Sequence, residues 1–224
     1  MPRTFQAVVF DFDGTLADSY EAIAASVNHV RSCCRLPPLS TDEVRRHVGR
    51  GPKYLLEHTV PSSNVEIDLE RYRAHHPSVL RSGTHVLPGV SATLGELKQA
   101  GMRLAICSNK LREFTRQLVE VLGLADLIDC IVGPEDAVRP KPAPDMLLTA
   151  LGRLAVAAEQ TLYVGDMVVD IQTAQAAGVT VWVIPTGTDK EESLAAASPD
   201  RILKSFSELA TLLIDSRGRQ DRMQ

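Results

Sequence analysis

Five short apolar runs rich in β-branched residues punctuate the chain: Ala7–Phe10, Leu104–Cys107, Cys130–Val132, Leu162–Val164 and Val179–Ile184. Apart from Thr180 each is apolar throughout rather than alternating, the pattern of strands buried on both faces of a parallel sheet. Between several of them the period lengthens to three or four. Leu111, Phe114, Leu118, Val121 and Leu122 form one helical stripe, closed by Gly123, and Leu94 and Leu97 belong to another that stops at Gly101. Leu147, Leu148, Leu151 and Leu154 make a third, and Ile171, Ala174 and Ala177 a weaker one that ends at Gly178. Strand and helix in alternation predict an α/β fold built on a doubly wound, Rossmann-like parallel sheet.

The stretch 18–83 breaks this rhythm. It has no convincing strand, and its apolar residues fit several helices. "RLPPLSTDEV" supplies a break followed by a Ser/Thr cap with acidic residues behind it, and Gly49 and Gly51 mark a tight turn between two helices. The pattern predicts an α-helical cap domain at 18–83 inserted into a core formed by 1–17 and 84–224. The polar tail "DSRGRQDRMQ" is expected to fray.

Composition narrows the function. A chain of 224 residues with 44% hydrophobic and 23% charged residues is ordinary for a globular protein, and a net charge of −4 gives no electrostatic case for nucleic acid or an anionic membrane surface. No run approaches the roughly 18 apolar residues of a membrane span, and the N-terminus lacks a signal-peptide pattern. Cys33 and Cys34 are adjacent, and Cys107 and Cys130 lie in apolar runs. None has metal-ligand spacing, so all four read as reduced thiols in a cytoplasmic protein.

Four chemically unusual points follow predicted strands, where a parallel sheet gathers its ligand-binding residues. Asp11 and Asp13 end the first run, Ser108 leaves the second, Lys141 sits among prolines beyond the third, and Asp166 and Asp170 follow the fourth. Like charges converging at one edge require a cation, and hard oxygen donors suit Mg²⁺. Ser108 and nearby N–H groups can bind phosphate, and Lys141 adds a compact positive charge. An ionised aspartate in this setting can attack phosphorus, and Asp13 can protonate the departing alkoxide and then activate water. Singly, each point has a plainer explanation. "DGT" forms turns, Ser108-Asn109 can cap the next helix, and a lone lysine is usually solvated. Their order and common placement favour the shared chemistry.

"DFDGTLADS", "CSNK", "RPKPAPD" and "GDMVVD" resemble the four motifs of the haloacid-dehalogenase-like hydrolase superfamily, and the whole chain is most similar to its phosphoglycolate phosphatase group. The resemblance implies Asp11 as nucleophile, Asp13 as general acid and base, and Ser108 and Lys141 as the phosphoryl-binding pair. It implies Mg²⁺ held by the Asp11 carboxylate, the Asp13 carbonyl and Asp166, with Asp170 assisting. Met167 departs from the Ser or Thr that many relatives carry there. Substrate contacts are expected from Gly14, Thr15, Ser108, Asn109 and Lys141, and from Arg50, with Lys53 beside it, at the cap turn. The expected partner is a small phosphorylated metabolite, 2-phosphoglycolate first, acted on by a monomer or homodimer. A sugar phosphomutase such as β-phosphoglucomutase and a pyrophosphatase share most of these features. A phospho-receiver domain uses similar groups, but in another chain order and without a cap.

Overall fold

The computed structural model describes residues 5–61 and 64–220, the last six of them as backbone only. Six parallel strands form the main sheet, in the order β5-β4-β1-β6-β7-β8. They are β1 (Ala7–Phe10), β4 (Arg103–Cys107), β5 (Cys130–Val132), β6 (Thr161–Gly165), β7 (Thr180–Val183) and β8 (Arg201–Ile202). β2 (Ala17–Asp18) and β3 (His85–Val86) pair antiparallel as a separate ribbon. The five predicted strands are thus present within a residue of their expected ends. β2, β3 and β8 are additional.

Within the sheet, side chains alternate between two apolar layers. Val8 and Phe10 of β1, Leu104 and Ile106 of β4, and Leu162 and Val164 of β6 face one way. Ala7, Val9, Ala105, Cys107 and Tyr163 face the other. On the first face pack α5 (Val90–Gln99), α6 (Arg112–Val121) and α10 (Ser207–Gln220), through Leu94, Leu97, Phe114, Leu118, Leu209 and Leu213. The second is covered by α7 (Asp145–Leu154), α8 (Val168–Ala176) and α9 (Glu191–Ala196), through Met146, Leu147, Leu151, Ile171 and Leu194. Burial on both faces is why the strands read as continuous apolar runs. The backbone of α10 is helical to Gln220, within the stretch expected to fray. Its last residues, 221–224, lie outside the described ones.

A helical cap rises between β2 and β3. It comprises α1 (Tyr20–Cys33), α2 (Thr41–Arg45), α3 (Pro52–Thr59) and α4 (Val65–His75). Ser40 and Glu43 close α2 with reciprocal hydrogen bonds: the Glu43 N–H donates to Ser40 Oγ at 3.3 Å, and the Ser40 N–H donates to Glu43 Oε2 at 2.8 Å. Gly49 and Gly51 both adopt positive φ (109° and 86°), which turns the chain into α3 with Pro52 in its first turn. Buried Arg31 donates to the carbonyls of Pro37 and Thr59, tying α1 to the end of α3. The cap's apolar residues, among them Ile23, Val27, Leu55 and Tyr72, join the layer on the first face of the sheet. Cap and core therefore share one hydrophobic layer.

Candidate active site

β1 lies between β4 and β6, so the chain leaves the sheet in opposite directions on its two sides. The carboxyl end of such a strand opens into a crevice. Asp11 stands there at the end of β1, with Ser108 at the end of β4 and Asp166 at the end of β6. Asp11, Asp166 and Asp170 each offer a carboxylate oxygen within 4.8 Å of the others, and all three are buried.

Lys141 is the cation facing this cluster. Its Nζ donates to Asp170 Oδ1 at 2.7 Å and to the Tyr163 hydroxyl at 3.1 Å, and lies 2.9 Å from Asp11 Oδ1 without hydrogen-bond geometry. Tyr163 in turn donates to the carbonyl of Cys107, at 3.0 Å. The second oxygen of Asp170 accepts the backbone N–H groups of Asp166 and Met167 at 3.2 and 3.1 Å, fixing the start of α8. Asp166 Oδ1 accepts the Thr15 hydroxyl at 2.5 Å, while its Oδ2 is buried and has no partner.

One lysine does not balance three carboxylates. Burial, reinforced by Asp170 and Asp11, pushes the Asp166 carboxyl well above the usual range, and burial raises Asp170 despite Lys141. Burial opposes the charge on Lys141, but Asp11 and Asp170 outweigh it and hold the ammonium above its ordinary value. A Cβ on Gly187 or Gly14 would overlap Asp166 Oδ2, so both glycines keep the space beside this orphaned oxygen open. An all-oxygen donor set around an unpartnered buried carboxylate fits a hard divalent cation.

The other expected residues divide. Asp13 is buried and is not one of the three clustered carboxylates; it accepts from Ser19 and from Lys110 Nζ. Ser108 is buried beside the same loop, where its Oγ accepts the Lys110 N–H at 3.4 Å. Asn109 exchanges hydrogen bonds with the backbone of Lys141 and donates to the carbonyl of Gly49 at 3.0 Å, so its amide bridges core and cap. The Thr15 hydroxyl donates to Asp166 Oδ1. The Gly14 N–H donates to the Ala17 carbonyl at 2.8 Å, and its missing side chain leaves space beside Asp166.

Arg50 is exposed, its guanidinium over the Tyr54 ring at 5.2 Å. It lines an outer cavity of about 430 Å³ that also reaches Lys141 and Met167. Lys53 is paired with Glu66 at the surface and lines neither of the two cavities at the cap–core junction. Asp13 faces an inner cavity of about 40 Å³, walled by Ile23, Val48, Leu55, Tyr72, Leu111 and Phe114. Sequence reasoning passed over Lys110, Tyr163 and Gly187. Lys110 stood inside the quoted "CSNK", and Gly187 sits in a Thr-Gly-Thr turn soon after a fifth predicted strand, which is the signal that would have found it.

The model of the haloacid dehalogenase-like hydrolase family matches residues 8–184. A phosphoglycolate phosphatase from Rhodospirillum rubrum is 37% identical over 202 residues, covering 85% of this chain and 83% of the relative. The phosphoglycolate phosphatase of Escherichia coli K12 is 30% identical over 232 residues, covering 93% and 92%. Among solved structures, a predicted phosphoglycolate phosphatase from Haemophilus somnus 129PT superposes with a TM-score of 0.87 at 25% identity, over 93% of this chain and 97% of that one. The chain belongs to the haloacid dehalogenase-like hydrolase family. Within it, the chain is a phosphoric monoester hydrolase similar to the phosphoglycolate phosphatases. No helix among the described residues is long and apolar enough to cross a membrane.

Proposed function

We propose that this hydrolase is an Mg²⁺-dependent phosphatase that cleaves a small phosphate monoester, best represented by 2-phosphoglycolate, through an aspartyl-phosphate on Asp11. The observation that carries the reading is the buried Asp11, held 2.9 Å from Lys141 and grouped with Asp166 and Asp170 at the sheet's carboxyl edge. Asp11 attacks phosphorus while Lys141 and Ser108 hold the phosphoryl oxygens, so most of the barrier is lowered by position and charge. Asp13, on the leaving-group side, gives its proton to the departing alkoxide and then takes one from the water that hydrolyses the acyl-phosphate. Mg²⁺ held by Asp11, Asp166, Asp170 and the Asp13 carbonyl would supply the remaining positive charge at the phosphoryl oxygens.

Residues 18–83 act in this proposal as a cap that excludes water and selects the leaving group. The inner cavity supports a small substrate. Its volume of about 40 Å³ holds about three or four water-sized groups. A carboxymethyl group has four heavy atoms beyond the ester oxygen and matches it. Four free cysteines suit a reducing compartment, and we assign the chain to the cytoplasm.

Phosphate release from 2-phosphoglycolate, pyrophosphate, ethyl phosphate and glucose 1-phosphate, each with Mg²⁺ and with chelator, tests this. The expected result is at least a tenfold advantage in kcat/KM for 2-phosphoglycolate, abolished by chelation. Full activity after metal removal, or isomerisation of the sugar phosphate without phosphate release, overturns it.

A further inference from the structure

The inner cavity holds a cation that the cap turn does not supply. Arg50 opens onto the outer cavity, and Lys53 is occupied by Glu66. Lys110, two residues beyond Ser108 on the loop that leaves β4, lines the inner cavity with its side chain only 5% exposed. Its Nζ lies 3.2 and 3.4 Å from the two oxygens of Asp13.

We propose that Lys110 is the specificity-determining residue of this enzyme: it meets a carboxylate on the leaving group inside the cavity beside Asp13. The inference rests on the phosphatase reading above and deepens it by naming the group that selects an anionic substrate. An ammonium has three N–H donors, and the two contacts with Asp13 leave at least one of them for a ligand. The surrounding walls are mostly apolar, with Ile23 from α1, Leu55 from α3 and Phe114 from α6, and Asp13, Asn109 and Tyr72 supply the other polar side chains. Lys110 and Asp13 are both buried, and a buried ion pair is screened less than one at the surface, where Arg50 sits. Because Lys110 and Ser108 belong to one loop, the distance between phosphate and carboxylate is set by the core. The cap only closes over it. A leaving group with a carboxylate one carbon from the ester oxygen satisfies the free donor. One ending in a methyl group leaves that donor without a ligand and gains nothing from it.

The test compares kcat and KM for 2-phosphoglycolate and ethyl phosphate, which share their first carbon and differ in carboxylate against methyl. The intact enzyme is expected to favour 2-phosphoglycolate at least tenfold in kcat/KM. In Lys110→Gln that ratio is expected to fall at least tenfold, chiefly through KM for 2-phosphoglycolate. In Arg50→Ala the ratio is expected to stay within about twofold. The Arg50→Ala arm decides the matter even if Lys110→Gln does not fold: loss of the preference there overturns the assignment. A preference that survives in Lys110→Gln, or an equal drop in kcat on both substrates, also overturns it and leaves Lys110 as support for Asp13. Equal turnover of the two substrates by the intact enzyme instead overturns the choice of 2-phosphoglycolate itself, before any variant is made.

Discussion

At the scale of single residues, the site depends as much on missing atoms as on present ones. Gly187 approaches Asp166 so closely that any Cβ would displace the carboxylate or the loop. Gly187→Ala is therefore expected to weaken Mg²⁺ binding by about tenfold or more, the scale found when groups supporting a metal ligand are disturbed. Calorimetric titration with Mg²⁺ measures this directly, and an unchanged affinity would show that the loop moves aside without cost. A second residue sets a pH dependence away from the site. His76 is fully buried, its Nδ1 2.8 Å from Ser26 Oγ and its ring between Tyr72 and Phe114, with no partner on Nε2. Burial, helped by Lys110 and His75, pushes its pKa down to about 2. The unfolded chain takes up this proton near pH 6.5, well before the folded one does. The folded state keeps its full advantage above that pH and loses up to about 1.4 kcal/mol per pH unit as acidity increases below it. Urea midpoints between pH 7.5 and 5.5 are expected to fall more steeply for the native chain than for His76→Phe. Parallel slopes would contradict the assignment.

At the scale of elements, the cap is latched to the core by a few polar contacts. Arg45, at the end of α2, donates to the carbonyls of Gly187 (2.7 Å) and Thr186 (3.0 Å) and lies over the Tyr20 ring. Thr188 Oγ1 donates back to the Arg45 carbonyl at 3.3 Å. Removing the guanidinium is expected to leave the cap folded, because Val44, Leu55 and Leu56 remain buried, but to open it more often. Arg45→Ala should speed amide hydrogen exchange in α3 and lower kcat/KM by about tenfold, the scale of one or two partly exposed charged hydrogen bonds. Unaltered exchange would remove the latch from the account. The same elements mark how far the sequence could be read. β1, β4 and β6 were legible because both their faces are buried, and three of the four helical stripes because a glycine follows them. Val121 and Leu148, read as stripe residues, are about half exposed (50% and 49%), since a periodic pattern does not say where a buried face ends. β2, β3 and β8 have two residues each, too short for any period. In the site, Asp11, Lys141, Asp166 and Asp170 were legible because each follows a strand. Lys110 reaching Asp13, 97 residues away, and Thr15 reaching Asp166, 151 away, were not. Those pairings exist only once the sheet has brought its edges together.

At the scale of the whole molecule, the order β4-β1-β6 brings three buried carboxylates together, and their mutual repulsion opposes folding unless a cation balances it. On the proposed reading, a Mg²⁺ ion that binds only the folded state would add about 2.7 kcal/mol at a hundredfold excess over its dissociation constant. The melting temperature is expected to rise with Mg²⁺. Asp166→Asn should melt higher than the native chain in chelator yet fail to respond to Mg²⁺, because it relieves the like-charge burial and removes a ligand together. A melting temperature indifferent to Mg²⁺ in the native chain would contradict this. The central claim is that Asp11 itself carries the phosphoryl group in turnover. Asp13→Asn keeps the nucleophile but loses the proton transfer, costing roughly a hundredfold or more in rate, so an acyl-phosphate formed from an activated aryl phosphate should accumulate in it. Rapid acid quench of that variant followed by mass spectrometry of its peptides is expected to find the phosphate on Asp11. Phosphate on any other residue would contradict the account.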